Sequence, residues 1–216
     1  MSGLTAIDIL VDPDEETIRH ARAWNARMRE SVADGFALDG SHQPHITTLQ
    51  RYVRTADLHD VYDAVEKTLA ATDMRALSYR AVAIKHADWG VPGQGLAVIV
   101  IQPSPQVLDL QAALLAAIAT FAEPGGTAAA FVTDPDEEIS QSTLDWVDGY
   151  VPAQIGPDRY IAHITVGFAM LDDLETMEAE PFDAFDVRPA AFAAYQLGNS
   201  GAARNLLKDW PVRNSR

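Results

Sequence analysis

Residues 45–48 read His-Ile-Thr-Thr and residues 163–166 read His-Ile-Thr-Val, and these two stretches decide how the chain folds. Side chains alternate between the two faces of a β-strand, so the histidine and the first threonine of each motif point the same way and the isoleucine points behind them. A single motif of this kind predicts little. Two motifs, 118 positions apart in 216 residues, predict two matched strands that bring two His-Thr pairs around one ligand.

The chemistry of these side chains predicts an acid–base site. An imidazole with an ordinary pKa of about 6.5 can accept or donate a proton close to neutral pH, and a threonine hydroxyl can donate a hydrogen bond. Two histidines and two threonines therefore supply a general base, a general acid and two donors without a metal ion. We predict no cofactor. The sequence leaves open which histidine is the acid and which is the base.

Composition places the chain among ordinary globular proteins. Hydrophobic residues make up 48% and charged residues 22% of the sequence, which is enough apolar material for a sizeable core. The absence of cysteine excludes disulfides, thiolate metal sites and a cysteine nucleophile. The first ten residues contain no basic residue, and no apolar run reaches the roughly 18 residues of a membrane span. We therefore expect a soluble, cytoplasmic protein, with a monomer as the default.

The net charge of −15 limits the partners that can be expected. Binding of long nucleic acid depends on lysine and arginine contacts with phosphates, and a strongly acidic protein repels the rest of the strand. A small nucleotide or an RNA end needs only a local positive pocket. Residues 204–216 carry four basic side chains and one acidic side chain, and we interpret them as a solvated basic tail.

A second repeat predicts two related lobes. The sequence Asp-Pro-Asp-Glu-Glu occurs at residues 12–16 and again at 134–138, an offset of 122 that nearly matches that of the histidines. An Asp cap, a Pro at the first helical position and a Glu three residues after the cap predict a helix start in both places. With a second strand predicted at 127–133 and its helix at about 137–150, the order strand, capped helix, loop and motif strand appears twice.

The two motifs in their context resemble the paired His-x-Thr-x signature of the two-histidine (2H) phosphoesterase superfamily, which includes the 2′-5′ RNA ligase and cyclic phosphodiesterase group. The resemblance is carried by residues 44–49, Pro-His-Ile-Thr-Thr-Leu, and by residues 162–167, Ala-His-Ile-Thr-Val-Gly. In order and spacing it covers most of the chain. One departure is Ala162, where many members have proline, at a position that shapes the backbone rather than the chemistry.

The resemblance implies a fold. It is an α+β, LigT-like fold of two lobes with pseudo-twofold symmetry, in which antiparallel sheets line a central cleft and helices pack outside. We expect a single two-lobed domain over residues 1–216. Its first lobe would cover about 1–123 and its second about 124–216, with termini free to cross between the lobes.

The resemblance also implies an activity. Members bind a phosphodiester between the lobes and use the two histidines, here His45 and His163, as opposed acid and base. Thr47 and Thr165 would donate hydrogen bonds to the non-bridging oxygens. The expected protein is a metal-independent hydrolase of a small cyclic or 2′-5′-linked nucleotide phosphodiester. The alternatives are an RNA-end 2′-5′ ligase, against which the charge argues, and a two-lobed nucleotide-binding or scaffold protein with little turnover.

Three further residues are candidates for substrate binding. If alternation continues along the first strand, Arg51 shares the face of His45 and can reach a phosphate. Gly167 shares the face of His163 by the same argument and leaves room for a base or ribose. Arg159 shares that face if the second strand extends so far. Each arginine is equally suited to a surface ion pair in so acidic a protein.

Two neighbouring residues receive other interpretations. Tyr52 is expected to lie on the face opposite His45 and to be a core residue. His42, three residues before His45, forms a His-x-x-His pattern that invites a metal site. Metal geometry needs three or four ligands, and the Ser/Gln/Pro loop around His42 offers no further one. No metal site is predicted.

Overall fold

The computed structural model describes residues 3–39, 42–88 and 90–212. Its helices and strands follow one another in this order: β1 (Leu4–Pro13), α1 (Glu15–Ser31), β2 (Ile46–Arg54), α2 (Leu58–Ala71), β3 (Tyr79–Asp88), β4 (Gln94–Pro103), α3 (Pro105–Ile118), α4 (Gln141–Gln154), β5 (His163–Met170), α5 (Leu171–Ala179), β6 (Phe185–Val187), β7 (Pro189–Leu197) and β8 (Ala203–Pro211). Among the described helices, none has both the length and the apolar composition that a membrane crossing requires.

Two antiparallel sheets form the framework. Sheet A has the strand order β2-β1-β7-β8, and sheet B has the order β5-β4-β3-β6. The strands that carry the two motifs, β2 and β5, each lie at the edge of a different sheet. The predicted α+β fold with two antiparallel sheets and helices packed against them is confirmed.

Each sheet draws strands from both halves of the chain. Sheet A joins β1 and β2 to β7 and β8, whereas sheet B joins β3 and β4 to β5 and β6. Segments from both sides of residue 123 therefore enter both sheets. The lobe boundary near that residue stays a prediction.

The main core lies between the sheets and the helices. Its largest apolar cluster includes Ile9 and Leu49 from sheet A, Ile99 and Ile164 from sheet B, and Met28, Val65 and Leu114 from α1, α2 and α3. Because apolar residues and helices cover this face of each sheet, the opposite face is left for the histidines and threonines of the motifs. Alternation along β2 and β5 thus separates the core from the cleft.

A smaller apolar cluster closes the far end of β2. Tyr52 packs there against Phe131 and Val147, with the two aromatic rings edge to face at 5.8 Å between centroids. The Tyr52 hydroxyl donates to the carbonyl oxygen of Leu144 in α4 at 3.2 Å. The prediction that Tyr52 is buried is confirmed by its exposure of 1%. The predicted face is wrong, because Tyr52 pairs with Ala6 and so lies on the face of Thr47 rather than on the opposite one.

The first Asp-Pro-Asp-Glu-Glu segment starts a helix two residues later than predicted. Pro13 ends β1, and Asp14 rather than Asp12 caps α1. The Asp14 side chain accepts a hydrogen bond from the backbone N–H of Thr17 at 2.9 Å. Asp12 stays on the strand, where its side chain belongs to the cleft face described below.

The second copy of that segment starts no helix. Asp136 has a φ of 70°, and a residue in this left-handed region does not continue a right-handed helix. The helix α4 begins at Gln141 instead, with Ser140 as its cap. The strand predicted at 127–133 is also wrong, because Ala128–Ala130 forms a single 3-10 turn. The repeated pentapeptide therefore does not report a repeated strand and helix.

The predicted basic tail is largely a strand. Residues 203–211 form β8, which pairs with β7 at the edge of sheet A. Trp210 packs on the main core, and Arg204 binds the carboxylate of Asp134 at 2.7 Å. Leu207 also packs on the main core, whereas Leu206 is 50% exposed. Arg213 and Arg216 lie outside the described residues.

Candidate active site

The two predicted histidines lie at the beginnings of two edge strands. His45 immediately precedes β2, and His163 is the first residue of β5. Each ring Nδ1 lies 2.8 Å from the carbonyl oxygen two residues earlier, that of Gln43 for His45 and that of Ile161 for His163. A carbonyl oxygen can only accept, so Nδ1 carries the hydrogen in both rings and Nε2 is left to exchange a proton.

Side chains tie β2 to the segment that leads into β5. The Tyr160 hydroxyl donates to the carbonyl oxygen of Thr47 at 2.7 Å. Gln111 of α3 donates from Nε2 to the carbonyl oxygen of Thr48 at 3.0 Å and to that of Gln154 at 3.2 Å. These hydrogen bonds connect β2 with the segment before β5, although β2 and β5 belong to different sheets. They place the His45 motif beside the His163 motif.

His163 lies in the drier part of the site. Burial lowers the pKa of His163 below its ordinary value, and the charge of His45 lowers it further, although the hydrogen bond to Ile161 acts in the opposite direction. Both histidines are therefore within electrostatic reach of each other. In β4, Val100 pairs with His163 and Val98 pairs with Thr165, so the side chains next to this motif on the same face of sheet B are apolar.

Carboxyl groups of β1 face His45. The antiparallel register sets Asp8 opposite Gln50 and Leu10 opposite Thr47, so the even-numbered residues of β1 share the face of Thr47. Burial raises the pKa of Asp8 and of Asp12, while attraction to His45 acts against the rise in both carboxyl groups. The His45 side of the cleft is thus acidic, in contrast with the apolar His163 side.

The two threonines differ in their surroundings. Thr47 Oγ1 lies 2.8 Å from Asp8 Oδ2, and Gln50 Nε2 donates to the same carboxyl oxygen at 3.0 Å. For Thr165, no hydrogen-bond partner of the hydroxyl is found in the described part of the chain. The Thr165 hydroxyl is therefore available to a ligand, whereas that of Thr47 is already engaged.

Comparison with solved structures agrees with the fold described above. The structure of TT0787 of Thermus thermophilus has a TM-score of 0.56 and 15% sequence identity, and the match covers 98% of this chain and 100% of that chain. Escherichia coli LigT in its apo form has a TM-score of 0.50 and 13% identity over 99% of this chain and 100% of that chain. The chain has a LigT-like fold.

The likeness is one of fold. The complex of Escherichia coli LigT with 3′-AMP has a TM-score of 0.49 and 14% identity, over 99% of this chain and 100% of that chain. No protein-family model matches the sequence, and no curated protein matches it. The expected LigT-like fold is confirmed.

A β-bulge turns Arg51 away from the site. The register of β1 with β2 shifts at Thr48, which is an extra residue on β2. Beyond the bulge, Gln50 rather than Leu49 shares the face of Thr47. Arg51 pairs with Ile7, which lies in the main core on the opposite face of the sheet. The prediction that Arg51 shares the face of His45 is wrong for this LigT-like chain.

A second β-bulge turns Gly167 away from the face of His163. The register of β4 with β5 shifts after Thr165, and Gly167 has a φ of 140°. A Cβ at this glycine would lie 3.0 Å from Met28 Cβ and 3.2 Å from Asn25 Nδ2 of α1. Gly167 therefore allows α1 to pack closely on β5, and the prediction that it leaves room for a base or ribose on the histidine face is wrong.

Arg159 lies outside the strand. It is exposed in a turn before β5, and its Nη1 donates to the carbonyl oxygen of Pro152 near the end of α4 at 2.9 Å. The condition for a shared face with His163, an extended strand through residue 159, is not met.

His42 stacks on Phe36 at 5.2 Å between ring centroids. In the described ranges, no three His, Asp or Glu side chains converge as a metal-binding group.

Sequence reasoning missed the polar partners of Thr47. Asp8 is the one charged residue in the otherwise apolar run of residues 6–11, and a charged side chain in a buried strand indicates a specific polar contact. Gln50 could not be found in this way, because its position on the cleft face depends on the bulge. Trp146 donates from Nε1 to Gln50 Oε1 at 2.9 Å, and nothing in the sequence of α4 indicates that contact.

Proposed function

We propose that this protein is a metal-independent phosphodiesterase that hydrolyses a small cyclic or 2′-5′-linked nucleotide phosphodiester by histidine acid–base catalysis. The observation that supports it best is the pair of His-x-Thr motifs on adjacent edge strands, each with the ring Nδ1 fixed on a carbonyl oxygen. Hydrolysis of a phosphodiester requires a proton to be taken from water and another to be given to the departing oxygen. Two neighbouring imidazoles with Nε2 available can do both.

The different surroundings of the histidines favour one division of roles. His163 is desolvated and its pKa is lowered, so it is neutral and suited to accept the proton of the attacking water. His45 lies within electrostatic reach of the carboxyl group of Asp12. In this proposal His163 is the base and His45 the acid that protonates the departing ribose oxygen of a 2′,3′-cyclic phosphate. Exchange of protons with water then restores both rings.

The hydroxyl groups of Thr47 and Thr165 would hold the phosphate. Hydrogen-bond donors aimed at the non-bridging oxygens stabilise the charge that grows there in the transition state. The site supplies these donors from neutral side chains, because Arg51 points into the sheet's other face and Arg159 binds Pro152. Neutral donors suit a substrate with a single negative phosphodiester, which agrees with the net charge of −15.

The decisive experiment is hydrolysis of 2′,3′-cyclic nucleotides in the presence of EDTA. Wild type should turn over the substrate, and His45→Ala and His163→Ala should each lose about 10²–10⁴-fold in kcat. His59→Ala is a matched control, because His59 is exposed on α2 away from the motifs. Full activity in either motif variant refutes the mechanism. A wild type that binds a cyclic nucleotide without converting it supports the binding-protein alternative instead.

A further inference from the structure

The hydroxyl of Thr47 ends a row of hydrogen-bonded side chains that begins outside the cleft. Trp146 of α4 donates to Gln50, and Gln50 donates to Asp8 Oδ2. Thr47 Oγ1 lies 2.8 Å from that same oxygen. Asp8 is completely buried in β1. The group that is proposed to hold the phosphate is therefore in direct contact with a buried acid.

The direction of the hydrogen bond between Thr47 and Asp8 decides what Thr47 can do. A threonine hydroxyl carries one hydrogen. An ionised Asp8 can only accept, so this hydrogen points at Asp8 and the cleft meets only the oxygen lone pairs of Thr47, which repel a phosphate oxygen. A neutral Asp8 donates its own O–H to Thr47 Oγ1, and the threonine hydrogen is then directed into the cleft.

The surroundings of Asp8 favour the neutral acid. Both polar contacts converge on Oδ2, while Oδ1 is buried and has no hydrogen-bond partner among the residues described. An ionised carboxylate would leave a charged oxygen unpaired inside the protein, which costs more than an unpaired neutral carbonyl oxygen. Burial raises the pKa of Asp8 above its ordinary value, against the attraction of His45 and the polar contacts with Gln50 and Thr47.

We propose that Asp8 is a positioning residue of the site: as a neutral acid it donates to Thr47 Oγ1 and so turns the Thr47 hydroxyl hydrogen toward a non-bridging oxygen of the substrate. The inference rests on the proposed function, because it takes Thr47 to bind the phosphate. Asp8 itself touches no substrate atom and acts through Thr47. Thr165 has no such partner among the described residues, so the two hydroxyls respond differently to pH.

The charged and titratable groups around Asp8 define the expected pH dependence. They are His45 before β2, Asp12 of β1, Tyr195 of β7, Tyr150 of α4 and Tyr160 before β5. Burial raises the pKa of all three tyrosines, so they remain neutral when Asp8 loses its proton. The other two groups, His45 and Asp12, act on Asp8 through their charges. As the pH rises through the pKa of Asp8, Thr47 ceases to be a donor and the efficiency of the site falls.

The test is the pH profile of kcat/KM for 2′,3′-cyclic AMP, whose own charge is constant, compared between wild type and Asp8→Asn. Asp8 also interacts with the charge of His45, so the same comparison in a Thr47→Ala background separates that effect from the one transmitted by Thr47. We expect the ratio of wild type to Asp8→Asn to fall with rising pH, by up to about tenfold per pH unit, because only wild type has a proton to lose at this position. In a Thr47→Ala background, this fall of the ratio should be absent.

The proposal is overturned if the ratio of kcat/KM between wild type and Asp8→Asn does not change with pH. It is also overturned if this ratio falls equally with rising pH in the Thr47→Ala background. Asp12→Asn is the matched control, since it removes the other carboxyl group that faces His45 and leaves the contact with Thr47 in place. In that variant the Thr47-dependent fall must persist. If Asp8→Asn does not fold, the ratio of wild type to Thr47→Ala carries the same test, because it should also fall with rising pH.

Failure of this inference is distinct from failure of the proposed function. If the protein turns over the substrate but the ratio of kcat/KM between wild type and Asp8→Asn does not change with pH, only the role of Asp8 is overturned. Without turnover the proposed function fails, and the comparison is made on the calorimetric Kd of 2′,3′-cyclic AMP. A Kd that weakens with pH in wild type and not in Thr47→Ala then supports the role of Asp8 in binding, whereas the absence of binding overturns both.

Discussion

At the scale of the residue, two identical motifs acquire different chemistry from their neighbours. His45 and His163 share the contact of Nδ1 with a carbonyl oxygen two residues earlier. His163 is surrounded by apolar side chains of β4, whereas His45 meets the carboxyl groups of β1. The motif thus fixes the orientation of each ring, and the neighbouring strand determines which side chains surround it.

A pH titration of the histidine rings by NMR tests this difference. We expect the pKa of His163 to lie below the ordinary value, because burial disfavours the charged ring. The unfolded chain then binds the proton more tightly than the folded chain, so the stability is complete above the ordinary pKa and is lost as the pH falls through it toward the folded value. His163→Gln should remove this part of the acid sensitivity. An ordinary pKa for His163 contradicts the assignment of the base.

At the scale of the element, two β-bulges decide which side chains reach the cleft. Up to each bulge, the alternation of β2 and β5 describes the observed faces, and this part follows from the sequence. After Thr48 and after Thr165 the alternation reverses, so Arg51 and Gly167 leave the cleft face and Gln50 enters it. An extra residue on one strand depends on its partner strand, and therefore the sequence around each motif does not reveal it.

The role of Gly167 in packing can be tested by substitution. Gly167→Ala should lower the free energy of unfolding by roughly 1–3 kcal/mol, because the φ of 140° is strained for alanine and its Cβ would press on Met28. Gly149→Ala is the control: it lies inside α4 with open space around it, and it should raise stability by about 0.5–1 kcal/mol. Urea unfolding measures both. Equal effects of the two substitutions would argue against a close contact of α1 with β5.

At the scale of the whole molecule, charge and topology limit the substrate. The chain carries 31 acidic and 16 basic residues. Beside His45, Asp12 adds a further carboxyl group. A long polyanion would meet repulsion over its whole length, while a single phosphodiester meets only the local donors.

This difference predicts the behaviour of RNA. Labelled tRNA halves should show no retention by the protein at about 0.15 M salt, under conditions in which 2′,3′-cyclic mononucleotides are hydrolysed, because few phosphates can be neutralised. A filter-binding titration at several salt concentrations measures it. Retention that weakens steeply with salt would instead favour the RNA-end alternative, since that slope counts phosphate contacts.

The central position of β1 in sheet A also determines when this sheet can form during synthesis of the chain. β1 has β2 on one side and β7 on the other, and β7 begins only at Pro189. A ribosome must therefore synthesise most of the sequence before the strand that holds Asp8 gains its second neighbour. The hairpin of β3 and β4 closes locally, whereas sheet A must close a loop of more than a hundred residues, which is slow. The acidic wall beside His45 is accordingly completed late in biosynthesis, and a nascent chain carries the first motif long before it has the surface that gives the motif its chemistry.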